Sequence, residues 1–232
     1  MIVKEGLNVK KQFIGLTKLT FGLFLFALGI VMTINANLGV APWDVFHQGL
    51  SLTTNITMGS ASIVVGVIIV LIDIFLGQNI GWATIFNMLL IGVFMDVLML
   101  NNLVPIANSF LPGIIMLLVG ILIEGYGCWI YVSVAMGAGP RDGLMVILTK
   151  RTGKSVRVVK SIVDVAAVTA GYLLGGKLGI GTLVMALLGG QIFQFAFKTV
   201  KFDVKSVNHR FIQDDIKLLK EKYSLYKAKN PS

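Results

Sequence analysis

The chain alternates between long apolar runs and short polar links. Runs of close to twenty residues recur at 19–36, 58–76, 80–100, 113–135, 156–174 and 178–200. A helix rises about 1.5 Å per residue, so about 20 apolar residues cross a hydrocarbon layer of about 30 Å. The pattern predicts an all-α, polytopic transmembrane helix bundle with six spans. The links are short (Gly77-Gln78-Asn79) or rich in turn residues (101–112, with Pro105 and Pro112). A basic segment, 1–18, precedes the first run. The first run lacks a clean small-x-small cleavage site behind it, so it reads as a retained helix rather than a signal peptide.

Two shorter elements interrupt this rhythm. Gly39-Val40-Ala41-Pro42-Trp43-Asp44 follows the first run, and Gly137-Ala138-Gly139-Pro140-Arg141-Asp142 follows the fourth. Gly39, Gly137 and Gly139 are the helix-break glycines. Proline has no N–H and restricts the residue before it, so neither preceding helix runs on smoothly. Pro42 and Pro140 suit the first turn of a new helix, and Asp44 and Asp142 suit the positive end of its dipole. Val45, Phe46 and Leu50, and Leu144, Met145, Ile147 and Leu148, give each short helix an apolar side. Two placements fit: re-entrant elements dipping in from opposite faces, or interfacial connectors with Trp43 at headgroup level.

The halves match at an offset of 98. Gly22 and Gly29 align with Gly120 and Gly127, and Gly39, Pro42 and Asp44 with Gly137, Pro140 and Asp142. Gly77, Gly81 and Thr84 align with Gly175, Gly179 and Thr182, with small gaps expected around the second and fifth spans. Each half, 19–100 and 113–200, carries three spans. Three is odd, so the second half enters the bilayer from the other side. The expectation is two three-helix inverted-topology repeats, with a site where they meet.

Charge then sets location and orientation. The 232 residues are 56% hydrophobic and 13% charged, with a net charge of +9. Soluble domains carry about 25% charged residues, and here no Lys or Arg occurs between Thr20 and Pro140. The cations sit at the N-terminus, in 141–160 and in the tail, with Lys177 the exception. By the positive-inside rule both termini are expected on the cytoplasmic side. The same placement argues against nucleic acid. The tail, 201–232, has apolar residues at helical spacing among its lysines, which suits either an amphipathic helix on anionic lipid or a solubilising, partly ordered tail. Membrane lipids are the expected partners.

Glu124 and Asp164 fall near the middle of the fourth and fifth spans, where a charge is costliest, with no lysine expected nearby. Asp73 and Asp96 lie near span ends, closer to water. His47 is assigned to the surface. Candidate polar-site residues are therefore Pro42, Asp44, Glu124, Pro140, Arg141, Asp142 and Asp164. Cys128 is a small packing residue. Zinc signatures, Gly-x-Ser-x-Gly and His-Glu-x-x-His are absent from the sequence, so no cofactor, metal or enzyme activity is expected.

At 37–50 and 137–145 the chain resembles the YczE/YyaS/YitT family of bacterial membrane proteins, most of all its YczE-type branch. The resemblance covers about residues 15–200 and leaves out the tail. It implies a multi-span protein of the bacterial plasma membrane and assigns no substrate, cofactor or catalytic residue. Two functions follow as expectations: a small-solute transporter or permease with its site between the repeats, or a non-transport protein that supports a partner through its basic face. A polar cavity between the halves lined by Glu124, Asp164 and the Asp44 and Asp142 segments would favour the first, and a tightly packed bundle without such a cavity the second.

Overall fold

The computed structural model describes residues 9–229, with side chains for 12–204, 206–221, 223 and 224. Its helices are α1 (Val9–Asn35), α2 (Pro42–Thr54), α3 (Met58–Phe75), α4 (Trp82–Leu100), α5 (Phe110–Val132), α6 (Pro140–Thr152), α7 (Val156–Leu173), α8 (Ile180–Thr199) and α9 (Ile212–Lys229), with a 3₁₀ turn at Val204–Ser206. Each long helix ends within a few residues of the apolar run that predicts it, except that α1 starts earlier. Residues 9–18 are its first turns rather than a separate basic segment; residues 1–8 and 230–232 lie outside the described part.

Among the described residues, five helices (α1 from Gln12, α3, α4, α5 and α8) are long and apolar enough to cross a membrane. The sixth expected span, α7, has 18 residues but carries Arg157, Lys160 and Asp164 in its first half, which lowers its apolar character. Large side chains stand bare on the outside, Phe75 at 89% and Leu187 at 72% exposed. Such a surface is stable against lipid and not against water.

The core is built on α1 and α5, which pack antiparallel along their length. Gly15, Gly22, Gly29 and Ala36 on α1 and its end meet Val134, Gly127, Gly120 and Gly113 on α5 and its end. The contacts recur every seven residues, the spacing of a helix seam. A Cβ placed on Gly22 would lie 2.7 Å from the Tyr131 nitrogen, and one on Gly29 2.6 Å from the Gly120 carbonyl. The backbones therefore touch, which is how helices associate in lipid without a hydrophobic driving force. Leu19, Leu23, Ala27 and Val31 of α1 are fully buried, together with Met95 of α4 and Leu117 of α5.

Links gather at two ends. At the basic end the Ala83 amide donates to the Met136 carbonyl (2.9 Å), and Arg151 donates to the Leu76 carbonyl (3.0 Å). At the other end Asn35 donates to the Val104 carbonyl (2.8 Å), Gly181 to Leu38 (2.7 Å), and the Lys177 amide to Gln48 (2.7 Å).

Element starts keep the offset of 98 without the gaps the sequence comparison called for: Pro42 and Pro140, Met58 and Val156, Trp82 and Ile180. α2 and α6 both have 13 residues, and α3 and α7 both have 18. Packing follows suit, since α2 lies on α7 as α6 lies on α3, and α1 on α4 as α5 on α8.

Candidate functional site

The two breaks are built alike. Gly39 (φ 100°) and Gly137 (φ 114°) hold positive φ, a region that a Cβ makes costly. Each also lies against the start of another helix. A Cβ on Gly39 would be 2.5 Å from the Gly179 nitrogen, and one on Gly137 would be 2.8 Å from the Thr84 hydroxyl. That hydroxyl donates to the Ala138 carbonyl at 2.7 Å. Pinned in this way, the chain turns into α2 at Pro42 and α6 at Pro140, with Asp44 and Asp142 in their first turns.

From these starts α2 and α6 reach each other. The guanidinium of Arg141 lies 4.8 Å from the centre of the Trp43 ring, a cation–π contact between residues 98 apart. Arg141 also lies 3.1 Å from Nε2 of His47, whose Nδ1 is 3.2 Å from Asp44 Oδ1. Arginine only donates, so Nε2 accepts, Nδ1 carries the proton, and His47 donates to Asp44. The relay Arg141–His47–Asp44 ties the two short helices together. His47 is fully buried and Asp44 is 3% exposed. Arg141 and Glu124 are half-buried, and Asp142 keeps exposed surface. Glu124 stands in the middle of α5 with its side chain against Gly29. Arg141 feels the field of Asp44, Asp142, Asp164 and Glu124. A charge in a low-dielectric interior persists only with such partners.

Of the candidate residues, Pro42, Asp44, Glu124, Pro140, Arg141 and Asp142 converge here, with Gly39, Gly137 and Gly139 shaping the approach. Asp164 acts on Arg141 but is itself ion-paired with Lys160 one turn earlier. The expectation that no lysine lies near it is corrected by that i, i+4 spacing, which is standard on a helix. His47 is corrected from surface to core, because its partner Arg141 is far away in sequence. Asp73 is corrected too: it is fully buried although close to a helix end. A cleft of about 240 Å³ opens at the non-basic end between 36–38 and 107–110, away from this cluster. No group of three or more metal-binding side chains occurs among the described residues.

The sequence also did not show where the tail goes. Arg210 donates from its backbone to the Ala135 carbonyl (2.8 Å), and Ile212 to the Ile80 carbonyl (3.0 Å). The Gly137 amide donates to Nδ1 of His209 (3.3 Å), and the Trp82 indole to Asp215 (3.0 Å). Residues 209–215 thus strap the break before α6 to the start of α4. Partial burial holds the His209 imidazole below its ordinary pKa.

A bundle of long apolar helices around a buried polar relay defines a polytopic, multi-pass protein of the plasma membrane. The chain belongs to the family of unknown function DUF6198, which it matches over residues 13–198. It is 37% identical over 177 residues to the uncharacterized membrane protein YczE of Bacillus subtilis, covering 75% of this chain and 81% of the relative. An uncharacterized protein of Haemophilus influenzae is 32% identical over 184 residues, 79% of this chain and 84% of its own length. YyaS of Bacillus subtilis, also uncharacterized, is 27% identical over 193 residues, 82% and 95% of the two chains. No solved structure matches.

Proposed function

We propose that the protein is a six-span, small-solute transporter whose site is the contact of α2 with α6. The observation that carries this reading is the Trp43–Arg141 stack, framed by Asp44, His47, Asp142 and Glu124. In the proposed architecture α1, α3, α4, α5, α7 and α8 cross the bilayer, while α2 and α6 are re-entrant from opposite faces. The constant offset of 98 and the reciprocal packing support two inverted repeats, with Trp43 and Arg141 facing each other across their pseudo-two-fold axis. Broken helices meeting at the centre of inverted repeats form binding sites in several transporter folds. The cation-rich end is then cytoplasmic, and with it both termini. Ile216, Leu219 and Tyr223 are exposed at i, i+3 and i+7 on α9, beside Lys217 and Lys220, which supports docking on anionic lipid.

The test is uptake by purified protein in liposomes across a panel of metabolites and ions, with Arg141→Ala and Asp142→Asn alongside. Loss of uptake by about tenfold or more in correctly folded variants is expected, since the charged hydrogen bond of Arg141 to His47 by itself contributes about 1.5–3 kcal/mol. Flux that persists in both variants, or no flux for any solute, overturns the proposal. Cysteine labelling from outside intact cells checks the topology: position 55 should react and position 154 should not.

A further inference from the structure

Asp73 lies outside the relay. It stands in the last turn of α3, 0% exposed, and neither carboxylate oxygen has a hydrogen-bond partner. Among the described residues, no charged side chain exerts a resolved effect on it. The cation that comes near on α6, Arg151, directs its N–H to the Leu76 carbonyl instead. The last turn of a helix is the negative end of its dipole, which disfavours an anion. Buried, unpaired and at the wrong helix end, an ionised carboxylate has nothing to hold it.

What covers Asp73 is α6. A Cβ placed on Gly143 would lie 2.7 Å from Asp73 Oδ2, with the Gln78 side chain alongside. Gly143 follows Asp142 and is two residues past Arg141, so Asp73 bears on the turn of α6 that carries the relay. The position 98 later is Gly171, which meets the backbone of Val45 and Phe46 so closely that a Cβ would lie 2.4 Å from the Phe46 nitrogen. One seam closes backbone to backbone; its counterpart has a carboxyl group set into it.

We propose that Asp73 is a proton-binding site that locks the α3–α6 seam: protonated, it lies quietly against Gly143, and ionised, it pushes the seam open to admit water. The cover is thin, since Asp73 is two residues from the end of α3, so a proton enters from the basic end past Gln78. Among the described residues, the groups placed beside the site are Gln78 from the α3–α4 link, whose side chain lies against Gly143, and Arg151 from α6, whose guanidinium is held by the Leu76 carbonyl. The inference stands apart from the transport reading and needs no substrate.

The test uses the full chain in nanodiscs. Dicyclohexylcarbodiimide, an apolar reagent for protonated carboxyl groups, is applied from about pH 5 to about pH 9, and adducts are mapped by peptide mass. Labelling at Asp73 should fall at least about tenfold across that range, and Asp73→Asn should lose this adduct alone. Amide hydrogen exchange of residues 143–149, corrected for intrinsic rates, should rise with pH in the wild type and stay flat in Asp73→Asn. Asp73→Gly, which copies Gly171, serves as the second variant and should also be flat. An Asp73 that resists labelling at every pH, or a pH rise in exchange that survives both substitutions, overturns the proposal.

Discussion

α3 and α4 are sealed together, whereas α7 and α8, which occupy the corresponding places in the second half, have no comparable packing along their lengths. In the first pair Gly59 and Gly92 bring the backbones into contact, so that a Cβ on Gly59 would lie 2.0 Å from the Gly92 carbonyl. Asp96 adds a lock, accepting from the Thr57 hydroxyl at 2.5 Å and the Gly59 amide at 2.8 Å. The positions 98 later are Ser155, Arg157, Gly190 and Gln194. Arg157 replaces the glycine, no acidic side chain accepts its amide among the described residues, and a Cβ on Gly190 would meet nothing within 4 Å. α7 is held by α2 instead, through Gly171 against Val45 and Phe46. The corresponding segments of the two halves thus differ at this joint, as they do at the seam that holds Asp73 on one side and Gly171 on the other. In the first half α3 packs closely on α4, and in the second α7 is bound to a short helix that also carries the relay.

The largest expected effect tests that joint directly. Gly59→Val forces side-chain atoms into the Gly92 backbone, and overpacking of this kind costs about 3 kcal/mol or more when backbone cannot yield. Gly190→Val points into open space and should stay within about 0.5 kcal/mol. Thermal unfolding in detergent measures both, and equal losses would mean that the halves are equally packed.

The second effect concerns the lock. Asp96→Ala leaves the Gly59 amide and the Thr57 hydroxyl without their acceptor, at a cost of about 1–3 kcal/mol. Gln194→Ala, at the matching place on α8, removes no described contact and should change stability by less than about 0.5 kcal/mol. The same unfolding series decides it. An Asp96 variant as stable as wild type would assign the sealed seam to the glycines alone.

How much of this was readable beforehand follows from the range of each interaction. Span lengths are dictated by bilayer thickness, and the Gly39–Pro42 and Gly137–Pro140 breaks by local backbone sterics, so both were visible in single stretches of sequence. The Lys160–Asp164 pair was also readable, at i, i+4, once helix geometry was applied to the charges. Burial of His47 was not, because its partner Arg141 is 94 residues away. The offset held a clue: if equivalent residues of inverted repeats meet on the axis, Trp43 and Arg141 are natural partners. α7 illustrates the limit of composition: the run at 156–174 was counted as an apolar span, but Arg157, Lys160 and Asp164 in its first half leave it outside the helices apolar enough to cross a membrane. Nothing in the pattern marked Asp73 as buried, because its cover comes from a glycine on another helix.

The smallest effect concerns the strap, which adds a further asymmetry. It ties the start of α4 to the break before α6, and the start of α8 at the far end has no counterpart to it among the described residues. His209 accepts the Gly137 amide at Nδ1, so docking requires the unprotonated ring. Its docked pKa lies below the ordinary value because of burial, and the undocked ring should titrate near about 6.5. Protons therefore bind the undocked form more readily. Docking should be independent of pH above about 6.5 and weaken as pH falls below it, by less than about 1.4 kcal/mol for each unit of pH. Tryptic cleavage after Arg210 in nanodiscs should then speed up between about pH 7 and about pH 5.5, relative to an unstructured reference peptide. His209→Gln, which keeps an acceptor and cannot titrate in this range, should remove the pH dependence while leaving the strap docked. An identical acid response in that variant would assign the change to Asp215 and its pair with Arg210 rather than to the imidazole.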